Sequence, residues 1–244
     1  MSLLTIDSIA KSFHGIHALK EVSMHVDEGE ILGIIGANGA GKTTLFNCVT
    51  GAFAPDSGRV HLDGKDVTGA KTHRLANSGL VRTFQLMRPF GTMTLLENIT
   101  VAVQSRGVRP EKRAREDAME LIVRTGLENW AEKTSASLPT AVQKRLELTR
   151  ALALSPRVLL LDEVLAGLVP AERGPVLDLI EELRREEGVT FIFIEHIMAA
   201  VRRLSDRLVM MDQGSVLAQG KVEDVLTDPR VIEAYLGKEY GDVA

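Results

Sequence analysis

The sequence predicts an α/β fold: a core of parallel strands flanked by helices, carrying an antiparallel β layer and an inserted α-helical lobe. Three observations lead there. Short apolar runs at 31–35, 158–161 and 191–194 alternate with helix-length stretches, as strands buried on both faces do. Val22-Ser23-Met24-His25-Val26 instead alternates apolar and polar residues, the mark of a strand with one wet face. From 86 to 150 no convincing strand pattern occurs, while helical periodicity does.

Taken in order, the half-buried strand turns at Asp27-Glu28-Gly29 into the buried strand 31–35. A helix from Lys42, a strand at 59–62, a helix near Thr72 and a strand at 80–84 continue the alternation. It resumes with strands at 158–162, 189–195 and 207–211, separated by helical stretches. Between the two blocks lie helices at 94–104, 111–125 and 140–154, the middle one bounded by the linker Gly107-Val108-Arg109-Pro110 and the loop 134–139. Residues 222–244 read as a short helical tail. The expected division is therefore 1–85 with 151–221 as the core and its antiparallel layer, 86–150 as the lobe, and 222–244 as the tail. There is no internal repeat and no low-complexity segment.

Bulk properties narrow the class. Hydrophobic residues make up 45% and charged residues 25% of the 244, ordinary for a globular protein able to bury a large core. A net charge of -4 with mixed signs argues against nucleic acid as the main partner. The single cysteine, Cys48, excludes an internal disulfide and fits a reducing compartment. No apolar run approaches a membrane span, and the start MSLLTIDSIAKSF shows no charged leader before an apolar block, so a cytosolic chain without a secretion signal is expected.

The chemistry concentrates at strand ends. Gly36-Ala37-Asn38-Gly39-Ala40-Gly41-Lys42-Thr43 fits GxxxxGK[ST] directly after a buried strand and before a helix, the context of a P-loop. Glycines let successive backbone N–H groups close on phosphate oxygens, the helix N-terminus adds its positive end, Lys42 reaches the outer phosphates and Thr43 holds Mg²⁺. The strand Val158-Leu159-Leu160-Leu161 ends in Asp162-Glu163. Behind a P-loop, Asp162 suits the outer shell of Mg²⁺ and Glu163 could orient or deprotonate the attacking water. Another buried strand ends in Glu195-His196; His196 could touch a γ-phosphate, or simply cap the strand. Gln85, at the joint between core strand and lobe, could be an idle loop glutamine, and Phe13 stacks on a base or packs. The remaining histidines form no ligand cluster, so no structural metal is expected.

Phe13, GANGAGKT, Gln85 in VRTFQ, QKRLELTRAL, VLLLDE and Glu195-His196, in that order, resemble the nucleotide-binding subunit of an ABC transporter, over about residues 4–236. GLVRTFQLMRPFGTMTLLENI, FIEHIM and VIEAYLG more narrowly resemble the ATPases of branched-chain amino acid importers, the LivG type. The resemblance implies a P-loop NTPase (RecA-like) core. It also implies roles: Phe13 stacking on adenine, a Walker A loop of Gly36, Asn38, Gly39, Ala40, Gly41, Lys42, Thr43 and Thr44, Gln85 as Mg²⁺ and coupling residue, Asp162 and Glu163 as Walker B and general base, and His196 as the switch. It further implies ATP and Mg²⁺ as ligands, membrane permease subunits and a solute-binding protein as partners, and a place on the inner face of the cell membrane. A lipid or lipopolysaccharide exporter ATPase shares the core, but VRTFQ and VIEAYLG point away from it. A soluble ABC factor should show a second cassette or a long coiled-coil insertion.

The sequence departs from that family where Leu-Ser-Gly-Gly-Gln, or Leu-Ala-Tyr-Gly in the narrower group, is usual: here stands Leu138-Pro139-Thr140-Ala141-Val142. Pro139 offers neither hydroxyl nor N–H, and Thr140 and Ala141 carry Cβ atoms where glycine admits phosphate. Val164 and Val169 also replace a usual proline and a usual Asp or Asn. In this family two subunits close head to tail over ATP, so the changes at Pro139 to Val142 and at Val169 fall on elements facing the partner's nucleotide. Pairing with a different ATPase subunit is therefore favoured over a second copy. The apolar residues Leu86, Met87, Pro89, Phe90, Met93 and Leu95 mark an expected docking face for a membrane subunit.

Overall fold

The computed structural model describes residues 2–83, 89–107 and 110–239. It opens with a long antiparallel pair, β1 (Ser2–Phe13) and β2 (Ile16–Asp27), turning at His14-Gly15. On β2 the alternation works as expected, with Val22, Met24 and Val26 inside and Ser23 and His25 outside. β1 had no clear strand signature because register shifts interrupt its period, one of them at Ser8, where φ is 49°.

β3 (Ile31–Ile35) follows, wholly buried, and leads through the glycine-rich loop into α1 (Lys42–Val49). β4 (Ser57–Leu62) and β5 (Lys65–Asp66) then complete a four-stranded antiparallel sheet in the order β2-β1-β4-β5. This corrects one expectation, since the strand at 59–62 belongs to the antiparallel layer and not to the parallel alternation. Val60 and Leu62 face inward, and the partners Ile6 and Leu4 on β1 are a long-range choice that local pattern cannot express. After α2 (Thr72–Asn77), β6 (Leu80–Arg82) enters the main sheet. The strand expected at 80–84 ends there, with Thr83 still donating its N–H to the Leu160 carbonyl at 2.9 Å, and Phe84 lies outside the described residues.

Three helices form the lobe: α3 (Leu95–Gln104), α4 (Glu111–Arg124) and α5 (Thr140–Leu152). α3 starts one residue later than expected because Thr94 is its cap: the Thr94 hydroxyl accepts from the Glu97 N–H and the Glu97 carboxylate accepts from the Thr94 N–H. Leu95, Ile99, Ala114, Ala118, Ile122 and Leu146 interlock as the lobe's own core. Buried Asn98 ties the surrounding loops to it, donating to the Phe90 and Thr94 carbonyls and to the Ser135 hydroxyl and accepting from the Phe90 N–H. The end of α5, at Leu148, Ala151 and Leu152, packs into the main core instead.

The chain returns through β7 (Val158–Asp162), α6 (Pro170–Glu187), β8 (Thr190–Ile194), α7 (Met198–Leu204), β9 (Arg207–Asp212) and β10 (Ser215–Lys221). The six-stranded sheet runs β10-β9-β3-β8-β7-β6, parallel except for the β9–β10 hairpin. Alternate residues serve its two faces. Ile31, Leu159, Phe191 and Leu208 pack under α6 and α7, whereas Leu32, Leu160, Ile192 and Val209 pack against α1 and the antiparallel sheet. α8 (Val222–Leu226) and α9 (Pro229–Glu239) lie on the same core, burying Val225 and Val231.

Candidate active site

Parallel strands deliver their C-terminal ends to one edge of the sheet, and the chemistry collects there. β3 ends in the loop from Gly36 to Gly41. Gly36 sits at φ 154°, where a Cβ would run into the Met211 carbonyl, and Gly41 at φ 99°, where a Cβ would lie 2.6 Å from the Ala18 carbonyl. Only glycine fits either place. Ala40 is buried and accepts the Gly214 N–H at 3.0 Å, while Asn38 and Gly39 form the exposed rim. Lys42 is buried and curls back over the loop, donating from Nζ to the Gly36 carbonyl at 2.6 Å and the Ala37 carbonyl at 3.0 Å. Burial lowers its pKa, and the charges of Glu163 and Asp162 oppose that shift, so the ammonium stands within the field of both acids. Thr43 and Thr44 follow on the first turn of α1, Thr43 exposed.

Asp162 closes β7. Its Oδ2 accepts from Arg82 Nη2 at 2.6 Å, and Arg82 Nη1 donates to Asn47 Oδ1 at 2.6 Å. Glu163 is held in a left-handed turn, φ 49°, with its N–H on the Ile194 carbonyl at 3.0 Å and its carbonyl accepting from Lys144 Nζ at 3.0 Å. Its Oε1 lies 2.7 Å from His196 Nε2. Beneath them Glu195, 2% exposed, accepts the Leu165 N–H at 2.8 Å and the His196 N–H at 3.2 Å, locking together the loops that follow β7 and β8. Burial raises the Glu195 carboxyl pKa against those two bonds. Lys42, Asp162, Glu163 and His196 are thus brought together. Arg82, Asn47 and Lys144 were not expected there, though a charge inside an apolar strand run, at Arg82, was a usable signal; Glu195 was expected at the strand end but without a role.

Phe13 ends β1, 36% exposed, its ring set edge-on against Phe53 at 5.4 Å with Lys11 Nζ 5.6 Å above it. A partly open aromatic on the antiparallel layer can take a planar ligand. Gln85 lies outside the described residues, so its placement adds nothing to the metal set.

Comparison with known proteins decides the family. The model described as "ABC transporter" matches residues 19–166, and "Branched-chain amino acid ATP-binding cassette transporter" matches residues 215–241. The chain is 39% identical to the high-affinity branched-chain amino acid transport ATP-binding protein BraF of Pseudomonas aeruginosa, covering 97% of this chain and 98% of that one. It is 37% identical to LivG of Escherichia coli K12, again over 97% and 98%. A cassette of an ABC transporter solved in its ADP conformation superposes with a TM-score of 0.89 at 33% identity, covering 97% of this chain and 99% of that one. The chain belongs to the ABC transporter ATP-binding family, in its branched-chain amino acid branch. It is an ATP-binding ATPase cassette with the P-loop NTPase fold.

Two further features of the cassette bear on partners. At the altered corner, Leu138 is buried in the lobe and Pro139 takes the cap position of α5 without a side-chain cap. The first intrahelical bond of that turn runs from Gln143 N–H to the Pro139 carbonyl at 2.9 Å, so the N–H groups of Thr140, Ala141 and Val142 stand at the helix start. Gln143 Nε2 also donates to the Leu138 carbonyl at 2.9 Å. Val169 caps α6 and is 56% exposed, its N–H held by Glu172 Oε2 at 3.0 Å. The second feature is a cleft of about 870 Å³ between core and lobe, lined on one side by Thr43, Asn47, Arg82 and Asp162 and on the other by Phe90, Val101 and Arg150 among others. Of the apolar residues expected on a docking face, Leu95 is buried in the lobe core, Pro89 and Met93 are half-buried, Phe90 is 46% exposed, and Leu86 and Met87 lie outside the described residues.

Proposed function

We propose that the cassette powers import of branched-chain or other hydrophobic amino acids from the cytoplasmic face of the membrane, through permease subunits and, indirectly, a solute-binding protein. One observation carries the chemistry: Lys42, Asp162, Glu163 and His196 converge at the ends of three neighbouring parallel strands, with Glu163 Oε1 2.7 Å from His196 Nε2. The solute class is supported by relatives named as branched-chain amino acid transport ATP-binding proteins. Among the described residues no helix is long and apolar enough to cross a membrane, which leaves the passage itself to the permease.

ATP is the substrate. Its phosphates enter the glycine-rich loop, and Lys42 exchanges the Gly36 and Ala37 carbonyls for outer phosphate oxygens. Thr43 and Asp162 line one cleft and offer the oxygen donors a hard cation takes, so they fit Mg²⁺, with Gln85 as the third expected member. Bound there, Mg²⁺ supplies neutralisation of phosphate charge. Glu163 accepts a proton from the attacking water as its oxygen bonds to the γ-phosphorus and the bond to ADP breaks. His196 steadies the Glu163 carboxylate, and Glu195 steadies the backbone of both loops. Phe13 stacks on the base.

A second ATPase subunit completes the assembly, and the altered Pro139–Val142 corner with Val169 favours one of different sequence whose corresponding corner is intact. The strong site then sits on this cassette's P-loop and the weak one beneath Pro139. The test is reconstitution with the permease and the second ATPase, measuring turnover with and without solute-loaded binding protein. Turnover should rise with loaded binding protein, and Lys42→Ala should be far more damaging than the matching lysine change in the partner. Turnover indifferent to branched-chain amino acids removes the solute assignment, and equal losses remove the asymmetric pairing.

A further inference from the structure

Arg82 in VRTFQ has no part in the catalytic scheme, yet it is set among its parts. Its guanidinium spans two elements, 2.6 Å from Asp162 Oδ2 on β7 and 2.6 Å from Asn47 Oδ1 on α1, with the Phe46 ring 5.3 Å below. The Arg82 side chain is 5% exposed and that of Asp162 1% exposed. A pair this dry gains little stability over apolar residues of the same size, because both charges have lost their water. Its position is more informative: with Thr43 it floors the cleft between core and lobe, beside the buried ammonium of Lys42.

Asp162 is therefore an acid that already has a cation. Lys42 adds a second positive charge nearby, and both stand where the proposed Mg²⁺ would have to approach. In a water-poor setting like charges oppose one another strongly. The triphosphate brings the negative charge that reverses this balance. We propose that Arg82 is a resident counter-cation that positions Asp162 and makes binding of the divalent metal conditional on nucleotide. Lysine could hold the charge but not the two-pronged span, whereas arginine's planar fork reaches Asp162 and Asn47 at once.

The inference rests on the assignment of Asp162 to the metal, and the experiment separates the two. Mn²⁺ binding to the full chain is followed by electron paramagnetic resonance, without nucleotide and with a non-hydrolysable ATP analogue, alongside thermal melting. Without nucleotide, Arg82→Met should bind Mn²⁺ at least about tenfold more tightly than wild type, since one opposing charge in a desolvated site is gone. Arg82→Lys, which keeps the charge, should stay near wild type, and Asp162→Asn added to Arg82→Met should abolish the gain. Where Arg82→Met does not fold, Arg82→Gln takes its place with the same expectation. Unchanged nucleotide-free Mn²⁺ affinity in a folded neutral variant overturns the proposal, as does an equal gain in Arg82→Lys. Loss of folding in both neutral variants does so too, by making the arginine a structural staple. Asp162→Asn alone should weaken Mn²⁺ binding in the presence of the analogue; if it does not, the metal assignment fails and this inference with it.

Discussion

Replacing Glu163 by Gln isolates the charge of the proposed base from its shape. The side chain is 19% exposed and its Oε1 faces His196 Nε2 at 2.7 Å, a contact the Gln carbonyl can keep when that nitrogen carries the proton. The backbone bonds from Lys144 and to Ile194 do not involve the side chain. Folding stability should therefore change by less than about 1 kcal/mol. Nucleotide should remain bound, because the loop and Lys42 are untouched and one negative charge near the phosphates is removed. Turnover should fall by about 10²–10⁴, the range general-base catalysis supplies, which is about 3–5 kcal/mol in the barrier. The assay compares steady-state phosphate release and nucleotide retention in the assembled complex, wild type against Glu163→Gln. His196→Ala, which removes the holder and not the base, should cost no more than about 10²-fold. Turnover of Glu163→Gln within a factor of about three of wild type would refute the assignment of the base.

Lys42→Ala should weaken ATP binding by about tenfold to a hundredfold and abolish hydrolysis, since a charge-assisted bond to phosphate is worth about 1.5–3 kcal/mol; calorimetric titration with ATP checks it. Phe90→Asp, at a ring 46% exposed in the cleft with Arg150 5.2 Å from its centre, should uncouple turnover from solute while leaving ATP affinity and melting temperature near wild type; unfolding of the isolated subunit would place the ring in the lobe's own structure instead. Glu195 predicts a pH dependence. Its folded pKa is raised by burial, so the folded state holds the proton more tightly than the unfolded chain and this contribution to stability is lost as pH rises from the ordinary 4.5 through the higher folded value. Melting curves should show wild type losing stability relative to Glu195→Gln across that window, and a constant difference would contradict it.

What depends on local chemistry is written along the chain. The P-loop was legible because phosphate binding needs glycines, a lysine and a threonine at fixed spacing next to a strand and a helix, and all of these are neighbours in the chain. The buried strands 31–35 and 158–162, the lobe helices, and Asp162 and Glu163 were legible for the same reason: period and position are written along the chain. Tertiary structure alone decided partnership. β4 pairs with β1 across the antiparallel layer, because strand pairing satisfies backbone bonds with whatever edge the fold presents and leaves no mark in a six-residue pattern. The alternation of faces within the parallel strands was likewise hidden, since both faces are apolar and only the cores they enter differ. The charged groups behind the site followed the same rule. The fold sets Arg82, Lys144 and Glu195 each against a partner 19 to 80 positions away, Arg82 on Asp162, Lys144 on Glu163 and Glu195 on Leu165. A buried charge is tolerated only where three dimensions supply its partner, so its purpose cannot be read before the fold is known.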